Sequence, residues 1–218
     1  MTEAPFIRTT RAFYDAVAAD YAAYSKDELA AKPLDRAMLA AFSERVRAAE
    51  IAPVADIGCG PGDVTARLRN LGLTDVFGVD LSPEMVAIAR RAHPDLRFDE
   101  GSMTALDIPD SSLAGAVAWY SIIHVPPGQL ADVFAEFHRV LVPGGHLLLA
   151  FQVGDHPLHV AEPFGQQVSL DFLRLLPDRV AEMLSQAGIP VEAQLLREPD
   201  GVERVPQAFL IARKSAES

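Results

Sequence analysis

Apolar positions change their period once along this chain. From Thr9 to Tyr24 the residues Phe13, Val17, Tyr21 and Tyr24 recur at helical spacing with Tyr14 beside them, and after Pro33 the residues Leu34, Met38, Phe42 and Val46 repeat every four. Both stretches predict helices, the second with proline in its first turn. From Pro53 onward short apolar runs alternate with amphipathic stretches, the pattern of strands joined by helical crossovers in a parallel sheet. The predicted strands are 54–57, 76–79, 96–98, 113–120 and 145–153. The helices between them carry Val64, Leu68 and Leu71, then Met85, Ile88 and Ala92, then Leu130, Val133, Phe134, Phe137 and Val140. Beyond a loop over 154–172 comes a helix with Val180, Met183 and Leu184, ended by Gly188. Two last strands, near 191–196 and 208–212, flank Glu198-Pro199-Asp200-Gly201 and predict a hairpin.

The stretch Val54-Ala55-Asp56-Ile57-Gly58-Cys59-Gly60-Pro61-Gly62-Asp63 runs from the first predicted strand straight into a helix. That setting makes a glycine-rich loop a cofactor-site candidate, because residues without Cβ let a ligand approach the backbone. Asp80 ends the second strand, where a carboxylate can accept hydrogen bonds from both hydroxyls of a ribose. Loop charge then separates the candidate ligands. A dinucleotide site has glycine at the sixth position of G-x-G-x-x-G and a helix N-terminus that receives pyrophosphate, but here that position is Asp63, whose carboxylate repels phosphate. Asp56 adds negative charge at the carboxyl end of the strand. A ligand with an ammonium, a sulfonium and no phosphate suits this loop, and S-adenosylmethionine is such a ligand.

Three segments, Asp56-Ile57-Gly58-Cys59-Gly60-Pro61-Gly62, Gly78-Val79-Asp80-Leu81-Ser82-Pro83-Glu84-Met85 and Leu141-Val142-Pro143-Gly144-Gly145, resemble the successive signatures of class I S-adenosylmethionine-dependent methyltransferases of the small-molecule type. The resemblance spans residues 10–213. It implies an α/β fold, a Rossmann-like three-layer sandwich with a mostly parallel seven-stranded sheet in the order 3-2-1-4-5-7-6 and strand 7 antiparallel. It further implies one methyltransferase domain over 1–218, with an N-terminal helical lid at 1–50 and a cofactor-binding core at 51–213. S-adenosylmethionine would leave as S-adenosylhomocysteine. Asp56 and the loop of Gly58, Cys59, Gly60 and Gly62 would hold the methionine part, Asp80 the ribose, Leu81 and Met85 the adenine face, and Ser102 with Met103 the adenine edge. Ser82, Gly101 and Tyr120 complete the implied cofactor contacts. Many relatives place an Asp where Ser102 stands, so the resemblance implies an adenine contact that is weaker here or made by the Met103 backbone alone.

Methyl transfer is an in-line displacement on an already activated sulfonium, so holding the acceptor in place and excluding water can supply much of the catalysis. The acceptor should enter over the carboxyl ends of the strands. Three segments reach that edge. Tyr14-Asp15-Ala16-Val17-Ala18-Ala19-Asp20-Tyr21 resembles the family's Y-D-x-x-A-x-x-Y helix, which makes Tyr14 and Tyr21 candidates for orienting an acceptor; the plainer reading is core aromatics at helical spacing. His124, after the fourth strand, is the candidate general base because imidazole titrates near neutrality; a structural hydrogen-bonding role is the alternative. His156 and His159 beside Glu162 have ligand-like spacing but no thiolate or carboxylate cluster, so no metal is expected. His93, His138 and His146 read as surface or packing residues, and Cys59 as buried under the ligand rather than as a nucleophile.

Composition narrows the function classes. With 218 residues, half of them hydrophobic, the chain can bury one substantial core. A formal net charge of -11 disfavours nucleic acid, whose binding rests on clustered Lys and Arg. Absence of a long apolar run and of a basic, apolar leader predicts a cytoplasmic protein that does not span a membrane. Cys59 is the lone cysteine, so no internal disulfide can form. Sixteen Arg against three Lys suggest a high-GC bacterial genome. Little chain is left over for a large substrate domain, which favours a small-molecule acceptor. Two other functions remain open on sequence: a non-catalytic S-adenosylmethionine sensor or scaffold, and a nicotinamide-dependent reductase.

Overall fold

The computed structural model describes residues 3–48 and 52–216. Three helices come first: α1 (Pro5–Ser25), the short α2 (Glu28–Ala31) and α3 (Pro33–Ala48). Then β1 (Val54–Ile57), α4 (Asp63–Asn70), β2 (Val76–Asp80), α5 (Pro83–Ala92), β3 (Arg97–Glu100) and β4 (Leu113–Trp119) follow. After α6 (Leu130–Val140) the chain enters β5 (Leu141–Gln152), a small hairpin of β6 (Leu158–Ala161) and β7 (Ser169–Phe172), α7 (Pro177–Gln186), β8 (Val191–Arg197) and β9 (Gln207–Arg213).

Seven strands form one sheet in the order β3-β2-β1-β4-β5-β9-β8. Only β9 runs against its neighbours, pairing antiparallel with β5 and with β8. Because β6 and β7 pair with each other outside this sheet, the order is the expected 3-2-1-4-5-7-6 with the last two strands renumbered. The sheet is buried on both faces, and β5 shows the period of two that this requires. Leu147, Leu149 and Phe151 join Phe134, Phe137 and Val140 of α6 and Val180 and Leu184 of α7 on one face. Leu148 joins Leu39, Phe42 and Val46 of α3 and Leu68 of α4 on the other. Phe42, Phe134 and Phe137 are among the largest fully buried side chains; truncating such a residue typically costs about 3–5 kcal/mol.

Four departures from the sequence expectation have physical causes. The hairpin β6–β7 lies in the segment read as loop; its residues are mostly exposed, so no buried stripe announces it. The buried face of α3 is turned by one residue at its start: Asp35 and Leu39 are buried while Leu34 is 46% exposed, because Asp35 pairs with Arg197. Tyr24 is exposed and not on the core stripe of α1; its ring meets Phe164 of the hairpin turn at 6.1 Å. Finally β5 begins at Leu141, ahead of the Pro143-Gly144-Gly145 turn, because the turn is absorbed as a shift of register against β4 between Leu113 and Gly115. Among the described residues no helix is long and apolar enough to cross a membrane.

Candidate active site

The loop after β1 bends back under the end of β2. Gly58 and Cys59 donate their backbone N–H groups to the Val79 carbonyl at 2.7 and 3.1 Å. Gly58 and Gly60 have φ of +78° and +52°. At Gly58 a Cβ would lie 2.3 Å from the Ser121 Cβ, whereas at Gly60 it would meet nothing within 4 Å and would project into open space. Asp80 closes the loop: its carboxylate accepts the Gly60 N–H at 2.7 Å and the Ser82 N–H at 2.8 Å. Burial raises the Asp80 pKa against these bonds. Asp56 is fully buried, and Thr65 donates its hydroxyl to one carboxylate oxygen at 2.7 Å. The other oxygen, Oδ1, is buried without a partner. Burial pushes the Asp56 pKa up to about 7, despite the Thr65 hydrogen bond and with the Asp80 charge adding to the rise.

Two cavities meet above this loop. The first is lined by Asp80, Leu81, Met85, Gly101, Ser102, Met103 and His124 among others. The second is lined by Asp56, Cys59, Asp63, Gln152, Phe172 and Arg174 among others. Tyr14, Tyr21, Gly58, Gly60, Trp119 and Tyr120 line both.

Two residues that the resemblance put against the cofactor line neither cavity. The Ser82 hydroxyl caps α5, accepting the Met85 N–H at 3.1 Å, and donates to Asp15 at 2.6 Å. Gly62 faces inward, where the ring of Phe98 lies 2.8 Å from the place a Cβ would occupy. Ser102 lines the first cavity with its hydroxyl bonded to that of Thr104 at 2.8 Å. Asp63 sits in the first turn of α4 with His93 3.7 Å away.

Helix α1 covers the site and is fastened at three points. Arg11 donates to the Leu81 carbonyl, Asp15 accepts from Ser82, and the Tyr14 hydroxyl lies 2.7 Å from Nε2 of His124. His124 ends a 3-10 turn, Ile122–His124, directly after β4. Its ring is edge-on to Tyr14 and to Phe172, and its Nδ1 has no partner. Burial lowers its pKa to about 3, so the imidazole is neutral across the physiological range. Burial likewise raises the pKa of Tyr14 and of Tyr21, and both phenols stay protonated. Tyr120 holds a left-handed backbone, φ 53°, and its hydroxyl is buried without a partner.

The rim of the second cavity holds a charge network that no local sequence signal announces. Arg197 donates to Asp35 at 2.9 Å and to both carboxylate oxygens of Glu203 at 2.6 and 2.8 Å. Lys32 joins Glu203 at 2.6 Å. On the hairpin, His156 is exposed and His159 pairs with Asp171 at 2.7 Å; no group of three or more potential ligands is gathered among the described residues.

Known proteins resemble the chain in sequence and in shape. A family model described as a methyltransferase domain matches residues 54–145. The demethylmenaquinone methyltransferase of Chlorobaculum parvum is 30% identical over 155 residues, 71% of this chain and 60% of that protein. A trans-aconitate 2-methyltransferase of Escherichia coli is 34% identical over 155 residues, 71% of this chain and 58% of that protein. The chain thus spans about 60% of the length of these relatives. In shape it is similar to a 1,6-didemethyltoxoflavin-N1-methyltransferase of Burkholderia thailandensis, with a TM-score of 0.70 and 22% identity over 99% of this chain and 92% of the other. The matched segment begins at β1, takes in the glycine loop and Asp80, and ends in the turn inside β5, on a sheet with the strand order expected from the signatures. Residues 54–145 thus carry the sequence of a methyltransferase domain, on a fold shared with the methyltransferase structure that the chain resembles.

Proposed function

We propose that the protein binds S-adenosylmethionine across the first cavity and the glycine loop, and methylates a small-molecule acceptor held in the second cavity. The observation that carries this reading is the partnerless Oδ1 of Asp56, buried at the junction of strand and glycine loop. A buried carboxylate oxygen without a donor is costly, and an ammonium group is the partner that would repay it. Each Asp80 oxygen accepts one backbone N–H and keeps a lone pair for a ribose hydroxyl. Leu81, Met85 and Met103 give the first cavity apolar walls for a purine, with Gly101 and Ser102 at its edge. When bound, S-adenosylmethionine supplies a methyl group already activated on a sulfonium.

The residues of the chain then hold, orient and shield. Tyr14 and Tyr21 stand between the two cavities and fix the acceptor's approach. His124 serves as a neutral hydrogen-bonding partner of Tyr14; with so low a pKa it is a positioning residue and not the base suggested by its residue type. Of the N-terminal segment, α1 acts as a lid that excludes water from the junction, whereas α3 is part of the sheet's core.

The reductase reading is disfavoured by Asp63 in the first turn of α4, where pyrophosphate would sit. Titration calorimetry with S-adenosylhomocysteine and with NADH tests the choice: tight binding of NADH alone refutes the proposal. Incubation of mixed acceptors with methyl-labelled S-adenosylmethionine tests turnover, and a labelled small-molecule product excludes a silent sensor.

A further inference from the structure

The proposed function leaves the acceptor's chemistry open, and the second cavity carries information about it. Three cations line the two cavities among the described residues: Lys32, Arg174 and Arg204. Lys32 is held by Glu28 and Glu203. Arg204 is exposed at the rim. Arg174 is half-buried, its Nε is buried, and that nitrogen has no partner. A guanidinium nitrogen desolvated without an acceptor loses hydration and gains nothing in return, which makes Arg174 the natural seat of an anion.

The sheet explains why Arg174 points where it does. A parallel bridge joins Val153 to Leu175, which sets Gln152 and Arg174 side by side on the opposite face. Gln152 pairs in turn with Gln207, and Gln207 with Arg197. Four polar side chains therefore run in a row across the carboxyl end of the sheet. Arg197 at one end of the row is consumed by Asp35 and Glu203, and Gln207 donates to the Val205 carbonyl at 2.7 Å. Arg174 at the other end is free. Beside it the side-chain oxygen of Gln152 is also buried without a partner, and the Tyr120 hydroxyl elsewhere on the wall of the same cavity is buried without one too. Arg174 offers a donor suited to a carboxylate, and Gln152 an acceptor suited to a hydroxyl or amine.

The surroundings limit the charge. Asp56 and Asp63 line the same cavity, and the chain carries a net charge of -11, so a phosphate dianion would meet repulsion that a single carboxylate largely escapes. Trp119 and Phe172 supply flat apolar walls. Resting on the reading of this cavity as the acceptor site, we infer that the acceptor is a small monocarboxylate on an apolar body that also carries a hydroxyl or amine, with its carboxylate seated on Arg174 and its donor group on Gln152.

Matched acid and amide probes test this without requiring turnover. Binding of 4-hydroxybenzoate and 4-hydroxybenzamide, and of salicylate and salicylamide, is measured by calorimetry with and without saturating S-adenosylhomocysteine. The wild type should bind at least one acid about tenfold or more better than its amide, the range for a hydrogen bond to a charged group. Arg174→Gln should abolish that preference and Arg174→Lys should keep part of it, with thermal midpoints confirming that both variants fold. Equal affinity for acid and amide, no measurable binding of either acid, or a preference that survives in Arg174→Gln overturns the inference. Failure of S-adenosylhomocysteine to bind would refute the cofactor reading separately, since the arm without it still reports on Arg174.

Discussion

Replacing Asp56 by asparagine should make the ligand-free protein more stable at pH 8 than the wild type by an amount that depends on pH in a calculable way. In the folded chain the carboxyl titrates near 7, against a usual value of 3.8, because it is fully buried. A raised folded-state pKa means that the native state holds its proton more tightly than the unfolded state does. The associated stability is therefore complete below pH 4 and is lost as pH rises to about 7, then stays constant. With about 1.4 kcal/mol for each unit, a shift of roughly three units corresponds to about 4 kcal/mol in all, of which about 3 kcal/mol falls between pH 5 and pH 8. Asparagine cannot titrate, so the stability difference between variant and wild type should grow by that amount over this interval. Any fixed cost of placing an amide beside Thr65 cancels in the comparison. Urea denaturation of both proteins at pH 5, 6, 7 and 8 measures it. A difference independent of pH would refute the argument that the carboxylate is buried and unpaired. The same substitution should weaken S-adenosylhomocysteine binding, and wild-type affinity should fall below pH 7 as the proton competes with the ligand's ammonium.

Other outcomes follow from the loop and the lid. Alanine at Gly58 and at Gly60 meets a similar backbone penalty, on the order of 1–2 kcal/mol for positive φ. Only Gly58→Ala also collides with Ser121, so its thermal midpoint should fall well below that of Gly60→Ala, and equal midpoints would contradict the packing described. Asp80→Ala should weaken S-adenosylhomocysteine binding by about 1.5–3 kcal/mol while the protein stays folded; unchanged affinity in calorimetry would remove Asp80 from the site. Tyr14→Phe strands the His124 ring and should cost about 1–3 kcal/mol of stability in urea. Tyr21→Phe should leave stability almost unchanged and lower turnover more than cofactor affinity. Wild-type turnover in both tyrosine variants would return these residues to a packing role.

Local pattern was enough to reveal the elements that bury a stripe. Leu147, Leu148 and Leu149 alternate between two cores, and Phe134, Phe137 and Val140 recur on one face of α6, so type and order could be read directly. The glycine loop was legible because positive φ restricts its residue types, and Asp80 because an acid ends the neighbouring strand beside that loop. Residues whose role depends on a distant partner were not. Asp35 is buried against the polar grain of its helix because of Arg197, and Ser82 turns away from the cavity because Asp15 and the first turn of α5 claim its hydroxyl. His124 has the residue type of a base, but its surroundings remove the basicity. The β6–β7 hairpin leaves most of its side chains in water, and an exposed strand leaves little trace in hydropathy.

The charge network at the rim bears on the order in which the protein can assemble. Asp35 and Arg197 are 162 positions apart, and Lys32 and Glu203 are 171 apart. During synthesis the early pair emerges long before its partners, and until they arrive the Asp35 carboxylate keeps its water and opposes docking of the segment that carries it. The inner edge of β5 stays unpaired over the same interval, because its neighbour β9 is the last strand of the sheet in sequence. Closures over such long separations are the slow ones. A nascent chain therefore completes the half with the glycine loop and Asp80 first, and closes the rim of the second cavity only with its final strands.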